Sequence, residues 1–215
     1  MKKIILFGGG SFSKVLINEI KNQKNCKFEG IFDNKVKKKN YLGNDKFFFK
    51  NKKFHAMYGI VAIADPKIKK KIVDKISKKI KKFKWYKIIS SNCIKCKTSI
   101  IEEGSILMPG SVINSNTKIG KHSLINTGCI IEHDNKINNF VSFGPGSVTC
   151  GGVKIESNSF IGAKSIIKEN IKIEENCIIG ANSFVNKNCK KNSLYFGSPI
   201  RFKKKLIWKK KFINI

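Results

Sequence analysis

The sequence predicts an α/β N-terminal domain followed by an all-β parallel coil, and three observations carry that expectation. From Ser99 to Asn188 the chain divides into fifteen consecutive hexads with no insertion. Upstream, a short apolar strand enters a glycine turn and then a helical pattern, and a second strand follows. The dominant period also changes, from the 3.6 of helices and the short apolar runs of buried strands to a strict six.

Lys3 to Phe7 reads as the first strand, and Gly8-Gly9-Gly10-Ser11 as the turn after it. Val15, Leu16, Glu19 and Ile20 mark a helix, Phe28 to Phe32 a second strand ending at Asp33-Asn34, and Gly59 to Ala64 a third, wholly apolar strand of the kind a parallel sheet buries. Asp65 and Pro66 fit the N-cap and first position of a helix. Ile68, Ile72, Ile76 and Ile80 line one of its faces, with the intervening lysines solvated. Strand, turn, helix and strand make a small Rossmann-like unit over residues 1–90.

In the hexads the third position is Ile, Leu or Val in thirteen of fifteen, and the first is Ser, Thr, Cys or Val in thirteen. Three hexads close one triangular turn, so fifteen make five turns. The aliphatic position points inward on every side, the small one closes the corner, and the Gly and Asn clustered at hexad ends supply positive φ. The pattern is that of a left-handed β-helix over 91–196. Cys93, Cys129, Cys177 and Cys189 all fall on the small position and read as core fillers. Residues 197–215 form a basic tail, with Phe202, Leu206, Ile207 and Trp208 suggesting a short helix packed on the coil.

The net charge of +30 favours anionic partners, yet the basic residues are nearly all lysine, in a chain rich in Asn and Ile as AT-rich coding produces. Arg201 is the only arginine, which speaks against specific nucleic-acid readout. No run approaches the roughly 20 apolar residues that span a bilayer. The apolar start at Ile4 breaks into glycines too soon for a signal peptide, so a cytoplasmic protein is expected. Cys93-Ile94-Lys95-Cys96 lacks the second pair a zinc site needs.

Two places could carry chemistry. Bare backbone at Gly8, Gly10 and Ser11 could approach a phosphate, although Ser13 holds the last glycine position of the dinucleotide fingerprint. Asp33, at a strand end, stands where such folds meet a ribose. His133 lies between Glu132 and Asp134, near a hexad corner, and an imidazole beside a carboxylate is equipped as a general base. Gly151 follows His133 by eighteen residues, one full turn, so the two stack.

Leu6-Phe7-Gly8-Gly9-Gly10-Ser11, Ile31-Phe32-Asp33-Asn34, Ala62-Ile63-Ala64-Asp65, Ile125 through Asp134, Gly144-Pro145-Gly146, Cys150-Gly151-Gly152 and Phe196-Gly197-Ser198-Pro199 together resemble the PglD/NeuD-type sugar acetyltransferases over nearly the whole chain. The resemblance implies an acetyl-coenzyme A-dependent N-acetyltransferase, needing no metal, that acts on a UDP- or dTDP-linked amino sugar such as a 4-amino-4,6-dideoxyhexose and works as a homotrimer. It implies His133 as the base, Asp134 as its orienting carboxylate and the Gly151 N–H as oxyanion donor. Acetyl-coenzyme A would lie along Ser142, Gly151, Gly162, Ala163, Gly180, Ala181, Pro199 and Arg201. The nucleotide sugar would meet Gly8, Gly10, Ser11, Asp33, Asp65 and Asn126. The chain departs from the family at Ser11-Phe12-Ser13, where Gly-His-Gly is common, and at Ser142, where a second His is common. A sugar O-acetyltransferase of the sialic-acid type and a non-catalytic basic scaffold or nucleic-acid binder are the alternatives; a metal-dependent β-helix enzyme would need three His ligands.

Overall fold

The computed structural model describes residues 1–37 and 39–206, and the chain divides between Ile88 and Ile89 into two compact units. The N-terminal unit is built on a five-stranded parallel sheet: β1 (Lys2–Phe7), β2 (Cys26–Phe32), β3 (Tyr41–Gly43), β4 (Tyr58–Val61) and β5 (Lys84–Trp85), in the order β3-β2-β1-β4-β5. Ile4, Ile5, Leu6 and Ile60 are fully buried, as the apolar runs required. Helices α1 (Ser11–Lys21), α2 (Asp45–Lys50) and α3 (Pro66–Lys79) complete it, with a short 3₁₀ turn at Lys52–Ala56. Asp65 caps α3 by accepting from Lys67 N (2.8 Å) and Ile68 N (2.9 Å).

The face that α3 buries is not the expected row of isoleucines. Pro66, Lys69, Val73 and Ile76 are buried, whereas Ile68 and Ile72 are only half-covered. The spacing 66, 69, 73, 76 is itself a helical stripe, and Lys69 falls inside it. Its ammonium is therefore not solvated: burial, against the attraction of Asp65, pushes the pKa down to about 7.

The second unit is a parallel β-helix. Each hexad contributes one two-residue strand, and strands eighteen residues apart pair in parallel. Three faces result. One runs through 94–95, 112–113, 130–131, 148–149, 166–167 and 184–185, and a second through 100–101, 118–119, 136–137, 154–155 and 172–173. The third runs through 106–107, 124–125, 142–143, 160–161 and 178–179. Every third-position residue from Ile101 to Val185 is buried, including the two exceptions to the aliphatic rule, Phe143 and Thr149. Burying an aliphatic side chain of this size is worth about 1.5–3 kcal/mol, so the stacked column is the main stabiliser of the coil. Cys129, Cys177 and Cys189 are free and fully buried among these residues; Cys93 is half-buried against them.

The sixth position of every hexad from Gly104 to Asn182 has φ between 54° and 70°. Glycine and asparagine tolerate that conformation, but His122, Asp134, Phe140 and Lys164 adopt it as well, held by the ladders on both sides. The expected C-terminal helix is corrected in part. Arg201–Lys205 is a strand, paired antiparallel with Ser193–Phe196 and extending the third face. Its extended partner offers ladder bonds that an isolated turn of lysines could not make for itself. Ile207 and Trp208 lie outside the described residues. No described helix is long and apolar enough to cross a membrane.

Candidate active site

In the N-terminal unit a cavity of about 580 Å³ opens at the carboxyl ends of β1 and β2. Gly8, Gly10, Ser11 and Asp33 line it, as the strand-turn-helix reading anticipated, whereas Asp65 is not in its wall. That carboxylate is committed to the cap of α3. Asp33 organises the turn. Its Oδ2 accepts from Gly9 N (2.6 Å), and its Oδ1 accepts from Lys35 N (2.7 Å) and Val36 N (2.8 Å). Burial alone would raise the Asp33 carboxyl, but these donors outweigh it and hold it below its ordinary value. The same carboxylate thus ties the glycine turn to the loop after β2.

Phe12, Ile68, Lys71, Ile72 and Lys75 also line the cavity, and sequence reasoning missed them. The signal was present: 68, 71, 72 and 75 form an i, i+3, i+4, i+7 stripe on α3, which reading only the isoleucines obscured. Lys75 pairs with Asp45 at 2.5 Å, so the wall is apolar with cationic and polar groups at defined points.

In the β-helix, His133 occupies an exposed corner between the first and second faces. Its Nδ1 donates to Asp134 Oδ2 at 2.8 Å, so in the neutral ring the lone pair is on Nε2. Asp134 can reach the ring because its own backbone takes φ of 58°. Its carboxyl is held below the ordinary range by the His133 contact and then by Asn116. Gly151 stacks one turn further on. A Cβ there would come within 2.6 Å of His133 Cε1 and 2.8 Å of Nε2, so any larger residue would displace the ring from this position. The Gly151 N–H has no partner among the described residues.

A second column lies at the corner between the third and first faces. Asn126, Gly144, Gly162 and Gly180 succeed one another at intervals of eighteen, with Ala163 and Ala181 beside the last two. A Cβ on Gly162 would strike the backbone nitrogen of Ala181. Within one chain Gly162, Ala163, Gly180 and Ala181 therefore stand at a different corner from His133, with Asn126 in the same column, whereas Gly151 stacks on the His133 ring. Ser142 is fully buried, in register with Leu124 and Phe160. Pro199 and Arg201 are exposed at the last hairpin. His122 is buried and stacks parallel on Phe140, with ring centroids 5.1 Å apart. No group of three or more His, Cys, Asp or Glu among the described residues could hold a metal.

Residues 3–76 match the PglD N-terminal domain, and residues 152–187 match the bacterial transferase hexapeptide family of six repeats. No curated protein sequence matches the chain. Among the solved structures that share its fold are the following three. PerB from Caulobacter crescentus, in complex with CoA and GDP-perosamine, is 23% identical with a TM-score of 0.86, covering 95% of this chain and 98% of its own. The acetyltransferase domain of PglB from Neisseria gonorrhoeae, in complex with acetyl coenzyme A, is 18% identical with a TM-score of 0.84, covering 94% and 99%. WeeI from Acinetobacter baumannii is 24% identical with a TM-score of 0.81, covering 94% and 100%. The chain thus joins a PglD N-terminal domain to a β-helix of bacterial transferase hexapeptide repeats.

Proposed function

We propose that the protein transfers an acetyl group from acetyl-coenzyme A to the amine of a nucleotide-linked amino sugar, with His133 as general base. The observation that carries this reading is the His133–Asp134 pair stacked on the bare Gly151. Structural likeness to PerB, bound to CoA and GDP-perosamine, and to the PglB domain, bound to acetyl coenzyme A, supports it.

The chemistry follows from the tautomer. With its Nδ1 proton held by Asp134, His133 Nε2 takes a proton from the sugar amine as that nitrogen attacks the thioester carbon. The Gly151 N–H donates to the tetrahedral oxyanion. On collapse the C–S bond breaks, and the imidazolium returns its proton to the departing sulfur. The amine is already a good nucleophile once deprotonated, so one base and correct placement suffice.

The N-terminal cavity takes the nucleotide. Gly8, Gly10 and Ser11 admit the diphosphate to bare backbone, Lys71 supplies positive charge, and Phe12, where the family often has His, offers a ring to the base or sugar. The working assembly is a homotrimer. The first face is lined outward by Ile94, Val112, Ile130, Val148, Ile166 and Phe184; Ile94 is 68% and Ile166 47% exposed in the single chain. His133 stands at one edge of this face and the Gly162–Gly180 column at the other. A ring of three copies packed through it sets the base of one copy beside the glycine column of the next, where acetyl-coenzyme A would lie.

The test is to incubate the protein with acetyl-coenzyme A and a panel of UDP-, dTDP- and GDP-linked amino sugars, following product by mass spectrometry. A gain of about 42 Da, the acetyl group passed from a thioester to a nucleophile, on one amino sugar names the substrate. Transfer only to hydroxylated sugars would make the protein an O-acetyltransferase, and no transfer to either would overturn the reading.

A further inference from the structure

We propose that Asn135 is a positioning residue, locking the corner that bears His133 to the corner that bears Gly151. The inference rests on the roles given to those two residues above. Asn135 occupies the first position of its hexad, where Ser, Thr or Cys stands in most of the other hexads. Hydroxyls at that position usually make one bond in one of two directions. Ser111 Oγ donates to the carbonyl three residues back, Met108 O, at 2.7 Å. Thr117 and Ser123 donate instead to the carbonyl fifteen residues ahead, Glu132 O at 2.6 Å and Asn138 O at 2.9 Å.

Asn135 makes both bonds at once. Its Nδ2 donates to Glu132 O at 2.6 Å and to Cys150 O at 2.9 Å, with a third, longer contact to His133 O at 3.3 Å. Glu132 immediately precedes the proposed base, and Cys150 immediately precedes the proposed oxyanion donor. Thr117 Oγ1 accepts from Asn135 N at 3.1 Å while donating to Glu132 O, so the clamp is itself held from the coil before. Gly152 N donates to His133 O at 3.0 Å, a further tie between the same two corners.

The clamp carries a cost that packing does not explain. Asn135 is 1% exposed, and its Oδ1 accepts no hydrogen bond among the described residues. Serine or cysteine would avoid that stranded acceptor. Volume is not the reason either, since Val141, Val153 and Ile171 fill the same position elsewhere with hydrocarbon. What asparagine adds is two N–H donors aimed at two successive corners. The reaction needs Nε2 of His133 and the N–H of Gly151 at a fixed separation, and small misplacements of reacting groups are expensive.

Asn135→Ser leaves one donor and Asn135→Val leaves none, and both match residues the coil already accepts at this position. The expected result is a far-ultraviolet spectrum and melting temperature close to the parent. The kcat should fall about 10-fold in the serine variant and about 100-fold in the valine variant, with KM for acetyl-coenzyme A within about twofold. Hydrogen exchange at the Gly152 amide, which donates to His133 O, reports the clamp without turnover. Exchange should quicken by about tenfold or more in Asn135→Val. If the parent chain acetylates nothing, the catalytic reading fails and this measurement still decides the clamp. Wild-type kcat in Asn135→Val, or unchanged exchange in a folded variant, would overturn the proposal.

Discussion

A single hydrogen atom in place of a side chain decides the geometry around His133. Replacing it by a methyl group in Gly151→Ala puts carbon 2.6 Å from Cε1, closer than any tolerated contact, so the ring must swing out and the Asp134 bond must lengthen. The expected outcome is a loss of about 10²-fold in kcat, the scale of a disturbed oxyanion site, with a melting temperature within a few degrees of the parent. Steady-state kinetics beside a thermal melt checks it; parental kcat would show that the stacking is incidental. The stacking of Gly151 on His133 was legible because the coil turns linear spacing into spatial neighbours: eighteen residues is one turn. Asp33 and Asp65 were harder, because a carboxylate after a strand reads the same whether it meets a ligand or the backbone. Hydrogen bonds from three backbone N–H groups to Asp33 and two to Asp65 show how much of each is spent on local structure.

The hexad gives each face of the β-helix its own chemistry at the second position, where side chains point outward. The second face carries Lys118, Lys136, Lys154 and Lys172 in register, partly offset by acids such as Glu102, which pairs with Lys118 at 2.8 Å. The first face carries the apolar row from Ile94 to Phe184. In the proposed trimer, Ile166→Asp puts a charge within that row and would bury it between copies. The expected outcome is a change from a three-chain to a single-chain species in sedimentation equilibrium, with the spectrum of the coil retained. Transfer should fall because the base and the glycine column then belong to separated chains. A variant that stays trimeric and active would remove the first face from the interface. The sequence announced the repeat, yet it was silent on the terminal hairpin. Arg201–Lys205 has no alternation of apolar and polar residues, and only its pairing with Ser193–Phe196 makes it a strand.

Across the whole molecule, the repeat made one unit transparent and its absence left the other half-read. β3, α2 and the turn at Lys52–Ala56 come from a stretch in which Phe47, Phe48 and Phe49 stand between lysines, and three consecutive rings fit neither period. Their partners settle it: Phe48 packs edge-on against Phe7 and Phe32, each at 5.0 Å between centroids. The buried Lys69 gives the N-terminal unit a pH dependence. Its folded pKa is about 7 against an ordinary 10.5, so between those values the unfolded chain binds more protons and stability rises with pH. The slope is at most about 1.4 kcal/mol per pH unit. Denaturant unfolding at pH 7, 8 and 9 should show it in the parent and a flatter dependence in Lys69→Met; equal slopes would mean that Lys69 stays protonated. The net charge of +30 remains a property of composition, with much of the lysine in the N-terminal unit, and none of the proposed catalytic groups depends on it. What the proposed reaction does make depend on a single residue is the proton transfer assigned to His133. The most direct test compares the parent with His133→Asn on whichever nucleotide amino sugar is acetylated, using acetyl-coenzyme A at saturation. The expected result is a fall in kcat of about 10²-fold or more, in a variant that remains folded and still binds acetyl-coenzyme A. Equal rates in the two proteins would rule out His133 as the base.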